Sequence, residues 1–197
     1  MKLVYKGSFR DYECLPKGNL PKNAVKFKEA DNLIELNLLA CIFIIPVGLA
    51  IALFIWGSYL LHSSLTIHIS AVGAFLFLLA IPVHEVLHAI CFGKDAEVEM
   101  YFAPKALAAF VVSTHPVSKA RFIFLSLFPN VVLGWLPLLI WMLLPYNAAF
   151  SNHLFAFAIF GALAGVGDYL NVFNAVCQMP KGSIQQMSGF NSYWYMP

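Results

Sequence analysis

Charge is scarce in this chain: only 11% of its 197 residues are Asp, Glu, Lys or Arg, against about 25% in a soluble domain. That shortage excludes a domain facing water on all sides. A net charge of +2, with no basic patch interleaved with aromatics, excludes nucleic acid as a partner. Cysteine is sparse as well. Cys14, Cys41, Cys91 and Cys177 stand far apart and form no C-x-x-C, so they read as reduced thiols without an assigned role. The opening Met1-Lys2-Leu3-Val4-Tyr5-Lys6 lacks the apolar core of a signal peptide, so the N-terminal tail is expected to be retained.

What is abundant is apolar sequence. Hydrophobic residues make up 60% of the chain, with 18 Phe, 8 Tyr and 4 Trp, a composition suited to lipid contact and interfacial anchoring. Four apolar stretches, Leu38–Leu61, Ile67–Phe92, Phe122–Leu144 and Leu154–Val176, each reach the ~20 residues needed to cross a bilayer. Pro46, Pro82, Pro129 and Pro137 lie inside them and are expected to kink helices whose neighbours satisfy the freed carbonyls. The 12 Lys and Arg divide as seven before the first stretch, four between the second and third, and one after the fourth. Neither the connection around His62-Ser63-Ser64 nor the one from Pro145 to Asn152 holds any. The positive-inside rule therefore puts both termini and the middle loop in the cytoplasm. In that loop, 98–102 and 108–113 read as two short strands about a turn at Ala103-Pro104-Lys105. The expectation is a single all-α polytopic membrane domain in a bacterial cytoplasmic membrane. It comprises a cytoplasmic tail (1–37), a four-helix core (38–176) with a small β-hairpin in the 94–121 loop, and a second cytoplasmic tail (177–197).

Within the second stretch stands His84-Glu85-Val86-Leu87-His88, an H-E-x-x-H. On a helix, histidines four apart share one face and can bind one zinc ion, with the adjacent glutamate as general base on a zinc-bound water. A bland alternative is a helix end where these side chains meet headgroups and water. Three ionisable groups in a membrane-length segment are costly, however, and mark function by default.

A catalytic zinc takes three protein ligands and leaves a position for water. Asp168, in Gly165-Val166-Gly167-Asp168-Tyr169, is the other acidic residue within the four stretches and needs a cation or a metal at that depth. Counting at 1.5 Å per residue from the cytoplasmic ends puts His84, His88 and Asp168 all roughly 6–12 Å below the surface. Gly161 and Gly165 form a G-x-x-x-G that permits close helix contact. A hydrogen-bonded structural aspartate or a proton-carrying group is the competing reading. Asn130 could hydrogen-bond substrate or simply join two helices. Asn171 and Asn174 could steady Asp168, and His115 reads as a loop histidine. His62, His68 and His153 lie toward the opposite face.

With H-E-V-L-H in one membrane helix and Gly167-Asp168 in a later one, the chain resembles intramembrane zinc metalloproteases of the site-2 protease type. It is more closely similar to a family of small bacterial membrane proteins described as zincin peptidases. The likeness runs from about Ile81 to Trp194 and includes the terminal Gly189-Phe190-Asn191-Ser192-Tyr193-Trp194. It implies that His84, His88 and Asp168 hold Zn2+ and that Glu85 is the catalytic base. The substrate would be a membrane-anchored protein or peptide, cleaved within or beside the bilayer. In site-2 proteases the aspartate is followed by glycine, whereas Asp168 is followed by Tyr169. Two other classes compete: a small membrane carrier passing metal or protons through the same cluster, and a non-catalytic scaffold holding a structural metal. Glu85 discriminates, since a structural site has no need of a base and would want a fourth protein ligand.

Overall fold

The structure, a computed structural model, describes residues 1–62, 66–104 and 108–197, with the backbone alone at 148 and 149. The expected turns at Ser63-Ser64 and at Lys105 fall outside the described residues. Three helical stretches are long and apolar enough to cross a membrane: Leu33–Leu61, Ala71–Cys91 and Lys119–Leu143. A fourth crossing is made only if Phe150–Ala164 and Val166–Gln178, bent by 42° at Gly165, count as one span. The first stretch is helix α1 (Leu33–Ala40), a 3-10 turn at Cys41–Phe43 and α2 (Ile44–Leu61); the second is α3 (Ala71–Cys91). The third passes from α4 (Lys119–Asn130) through a π-helical turn (Val131–Trp135) into α5 (Leu136–Leu143). The pair at the end is α6 (Ala148–Ala164) and α7 (Val166–Gln178).

The fold is mixed α/β, which corrects the all-α expectation. Among the described residues seven strands form two sheets. In the first, β1 (Lys2–Ser8) pairs in parallel with β3 (Glu97–Ala103), which pairs antiparallel with β4 (Ala108–Val112). In the second, β2 (Val25–Lys26), β7 (Asn191–Tyr195), β6 (Ile184–Ser188) and β5 (Val117–Ser118) run in that spatial order, antiparallel throughout. The hairpin expected at 98–113 is β3–β4. The segments expected to be mere tails supply β1, β2, β6 and β7. The reason lies in backbone chemistry: three polar segments gathered at one end of a helical bundle satisfy their N–H and C=O groups by pairing with one another.

Among the described residues three apolar clusters form the core, the smallest of them Leu15, Tyr101 and Val112 within the strand layer. Val47, Ile51, Leu138, Trp141, Phe155 and Ile159 fill the bundle. Phe27, Phe92, Val98, Phe122, Leu125 and Met179 fasten the strand layer to the helix ends. The end of α3 is fixed twice. Gly93 adopts φ +109°, a left-handed conformation that stops the helix, and Arg121 Nε donates to the Cys91 carbonyl at 2.7 Å.

The π-helical turn and α6 cross at small residues. A Cβ built on Gly161 would stand 2.2 Å from the Leu133 carbonyl oxygen, and one on Gly134 would stand 2.6 Å from the Ala162 nitrogen. Backbones so close exclude any side chain. Gly161→Val should therefore force the helices apart and cost about 1–3 kcal/mol, read as a lowered melting temperature in detergent. An unchanged melting temperature would mean that the crossing is not held as described.

Candidate metal centre

Helix α3 carries His84, Glu85 and His88 on its last two turns. All three are buried, at 8%, 6% and 7% relative exposure. Ser70 caps the start of α3 by accepting from Gly73 N–H. Pro82 sits within the helix just ahead of the histidines. Four-residue spacing puts the two imidazoles on one face, edge to face at 76°, with Nε2 of His84 3.1 Å from Nε2 of His88. Nδ1 of His88 faces the Leu125 carbonyl of α4 at 2.7 Å. A carbonyl only accepts, so Nδ1 carries the proton and Nε2 of a neutral ring presents its lone pair inward.

Asp168 comes from the other side. It lies in the first turn of α7, just past the 42° bend, rather than in the middle of the continuous helix expected from Leu154 to Val176. Its Oδ2 is 3.2 Å from His84 Nε2 and its Oδ1 is 3.2 Å from His88 Nε2. The N-terminal end of α7 carries the positive end of the helix dipole and favours a negative charge at this position. Asn130, fully buried at the end of α4, donates from Nδ2 to Asp168 Oδ2 at 2.8 Å and to the Ser126 carbonyl at 3.1 Å. Of the two readings open for Asn130, the structure shows the helix–helix hydrogen bond, made from α4 to Asp168 of α7.

Gly165 makes that contact possible, since a Cβ there would fall 1.5 Å from Asn130 Oδ1. Tyr169, standing where site-2 proteases have glycine, holds the bend. Its hydroxyl accepts from Trp135 Nε1 at 2.9 Å and donates to the Ala162 carbonyl at 3.2 Å.

Glu85 adjoins the cluster; it and the two histidines offer ligand atoms within 4.8 Å of one another. Two carboxylates therefore compete for the place of third metal ligand. The geometry favours Asp168, whose oxygens meet both ring nitrogens at 3.2 Å. The backbone N–H of Val111 in β4 is directed at Glu85.

A cavity of about 240 Å³ opens onto the four groups, walled by Phe110 and Val111 of β4 and by Leu33, Leu36 and Asn37 of α1. The β4 wall belongs to the hairpin expected at 98–113, placed to receive an extended substrate segment, whereas nothing in the sequence of α1 marks it as lying in front of α3. Asn171 lines the same cavity. Asn174 instead accepts from Gln178 Nε2, and the His115 N–H turns to Ser113 Oγ. His62 and His153 pair with the Met142 carbonyl and Ser70 Oγ, at the other end of the bundle.

The donor set can be tested against zinc by distance. Tetrahedral zinc with bonds of about 2.0–2.1 Å spaces its ligands about 3.3–3.4 Å apart. The three contacts among His84, His88 and Asp168 measure 3.1, 3.2 and 3.2 Å. Two imidazoles and a carboxylate at that spacing fit the ion.

Comparison with curated proteins and with solved structures returned no match. A family model described as "Putative zincin peptidase" matches residues 76–184. That segment runs from inside α3 to the start of β6 and holds all four cluster residues. Since it spans more than half of the 197 residues, the chain belongs to this zincin peptidase family.

Proposed function

We propose that this chain hydrolyses a peptide bond within or beside the membrane, with a zinc ion held by His84, His88 and Asp168. The observation that carries the reading is the convergence of His84 Nε2, His88 Nε2 and an Asp168 oxygen at 3.1–3.2 Å beside Glu85. A zinc ion on those ligands supplies a Lewis acid that polarises the scissile carbonyl and brings the pKa of water toward about 7.

The residues do the rest. Glu85, next to a ligand but not needed as one, accepts the proton of the attacking water and returns it to the departing amide nitrogen. Asn130 holds Asp168 in place by its hydrogen bond, and the Leu125 carbonyl fixes the tautomer of His88. The substrate segment must be extended to expose its peptide bond. The edge of β4 that faces α3 is unpaired among the described residues and offers backbone partners for an added strand. The buried site keeps bulk water from the reacting groups.

The carrier alternative is weaker. The halves of the spans remote from the sheets contain no acidic residue, so no chain of ionisable groups continues across the membrane.

Orientation follows from charge. The sheets gather the Lys- and Arg-bearing segments at one end, and the positive-inside rule makes that end cytoplasmic. A cysteine placed at Asn147 should then react with an impermeant thiol reagent added outside intact cells. Reaction only after the cells are opened would reverse the orientation.

For catalysis, Glu85→Gln should retain zinc and fold while lowering cleavage of membrane-anchored test substrates by ~10²–10⁴-fold. Undiminished cleavage by the Glu85→Gln protein, in a preparation free of other proteases, would rule out this mechanism.

A further inference from the structure

Three cavities follow one another along β4. The deepest, about 260 Å³, lies at Ala108 and Ala109 against Phe77 and Ile81 of α3. The middle one, at Phe110 and Val111, holds the metal cluster. The outermost, about 150 Å³, lies at Val112 against Glu29 and Ser192. Leu33, Leu36, Phe110, Val111 and Asn171 line both of the last two, so these are parts of one groove. Four steps of strand along Ala108–Val112 make it about 14 Å long at roughly 3.4 Å each. The groove begins among apolar side chains one to two turns deeper in the bundle than His84. It ends in the strand layer outside the helices.

At that outer end stands an acid with no cation. One oxygen of Glu29 accepts from the Ser192 N–H at 2.6 Å. Among the described residues, no Lys, Arg or His nitrogen lies within 4.0 Å of its carboxylate. Lys26, whose charge acts on it, is committed to Asp31 at 2.9 Å. Burial pushes the Glu29 carboxyl up to about 7, as expected of a desolvated acid lacking a counter-charge. Leaving a half-buried carboxylate without a cation is unfavourable, and its one hydrogen bond, accepted from a backbone N–H, would be met equally by a glutamine.

We infer that Glu29 is the specificity residue of this groove and receives a Lys or Arg side chain of the substrate. This rests on the peptidase reading and names the substrate class. The segment cleaved is apolar where it lies against Phe77 and Ile81, and basic where it leaves the helices. Such a sequence is the cytoplasmic end of a membrane span, where Lys and Arg accumulate.

The test uses the full-length protein in lipid nanodiscs with a membrane-anchored reporter. A single Lys is moved through successive positions flanking the reporter's span, with Gln at the same positions as reference. At one or two positions Lys should raise kcat/KM at least about tenfold, mainly through KM, as a desolvated ion pair would. Glu29→Gln should bring the Lys-to-Gln ratio near one, and Glu29→Lys should invert the preference toward a Glu-bearing reporter. A folded Glu29→Gln protein that keeps the full Lys preference, or a wild type with none at any position, overturns the inference.

Binding of the same labelled reporters to Glu85→Gln protein separates the two claims. Charge-dependent binding without cleavage by the wild type would remove the peptidase and leave the Glu29 subsite. Cleavage without charge dependence would do the reverse. Should the Glu29 variants fail to fold, the Lys scan on the wild type alone still decides.

Discussion

A carboxylate held below the end of a membrane helix is the constraint from which this structure follows. Removing an ion from water costs several kcal/mol unless partners replace its hydration, and Asp168 has such partners on every side. Two imidazole nitrogens stand at 3.2 Å from its oxygens, the Asn130 amide donates at 2.8 Å, and the N-terminal end of α7 lies behind it. Each partner imposes a backbone requirement. The helix must break at Gly165 to expose its N-terminal turn, and residue 165 must lack a Cβ so that Asn130 can approach. The neighbouring crossing at Gly134 and Gly161 must be close enough to bring α4 to α7. On the proposed reading, a zinc ion at the centre of these donors would replace a costly assembly of polar groups with a chemically useful one.

The strand layer matters for a different reason. Without it the histidines would end a helix at the membrane surface, open to water. With it, β4 closes one wall of the groove and α1 the other, and the N- and C-terminal segments extend that groove beyond the helix ends. The pairing of β1 with β3 joins Lys2 to Glu97, and that of β2 with β7 joins Val25 to Trp194. The two ends of the chain are thereby bound into the architecture of the site. Glu29 and Ser192, which meet at the outer end of the groove, come from those ends.

Much of the centre was legible in the residues because it rests on short-range rules. Four-residue spacing puts His84 and His88 on one face, and a count of helical rise puts Asp168 at their level. The 98–113 hairpin was visible in its alternation. What stayed hidden depends on long-range pairing. β1 and β2 carry no strong strand signal of their own and form because β3 and β7 offer partners far away in the chain, which is why the all-α expectation failed. Gly165 looks like half of a G-x-x-x-G contact motif. In the structure it is also the break that turns a mid-helix aspartate into a first-turn one, a difference that spacing alone does not encode.

The central claim is that His84, His88 and Asp168 together hold one zinc ion. Zinc-edge X-ray absorption on the purified protein tests it most directly. The account predicts about one zinc per chain with two imidazole nitrogens and oxygen ligands at about 2.0–2.2 Å. It further predicts that Asp168→Asn weakens binding and alters the oxygen shell. A sulfur shell at about 2.3 Å, a third imidazole, or an unchanged spectrum and full zinc content in Asp168→Asn would contradict it.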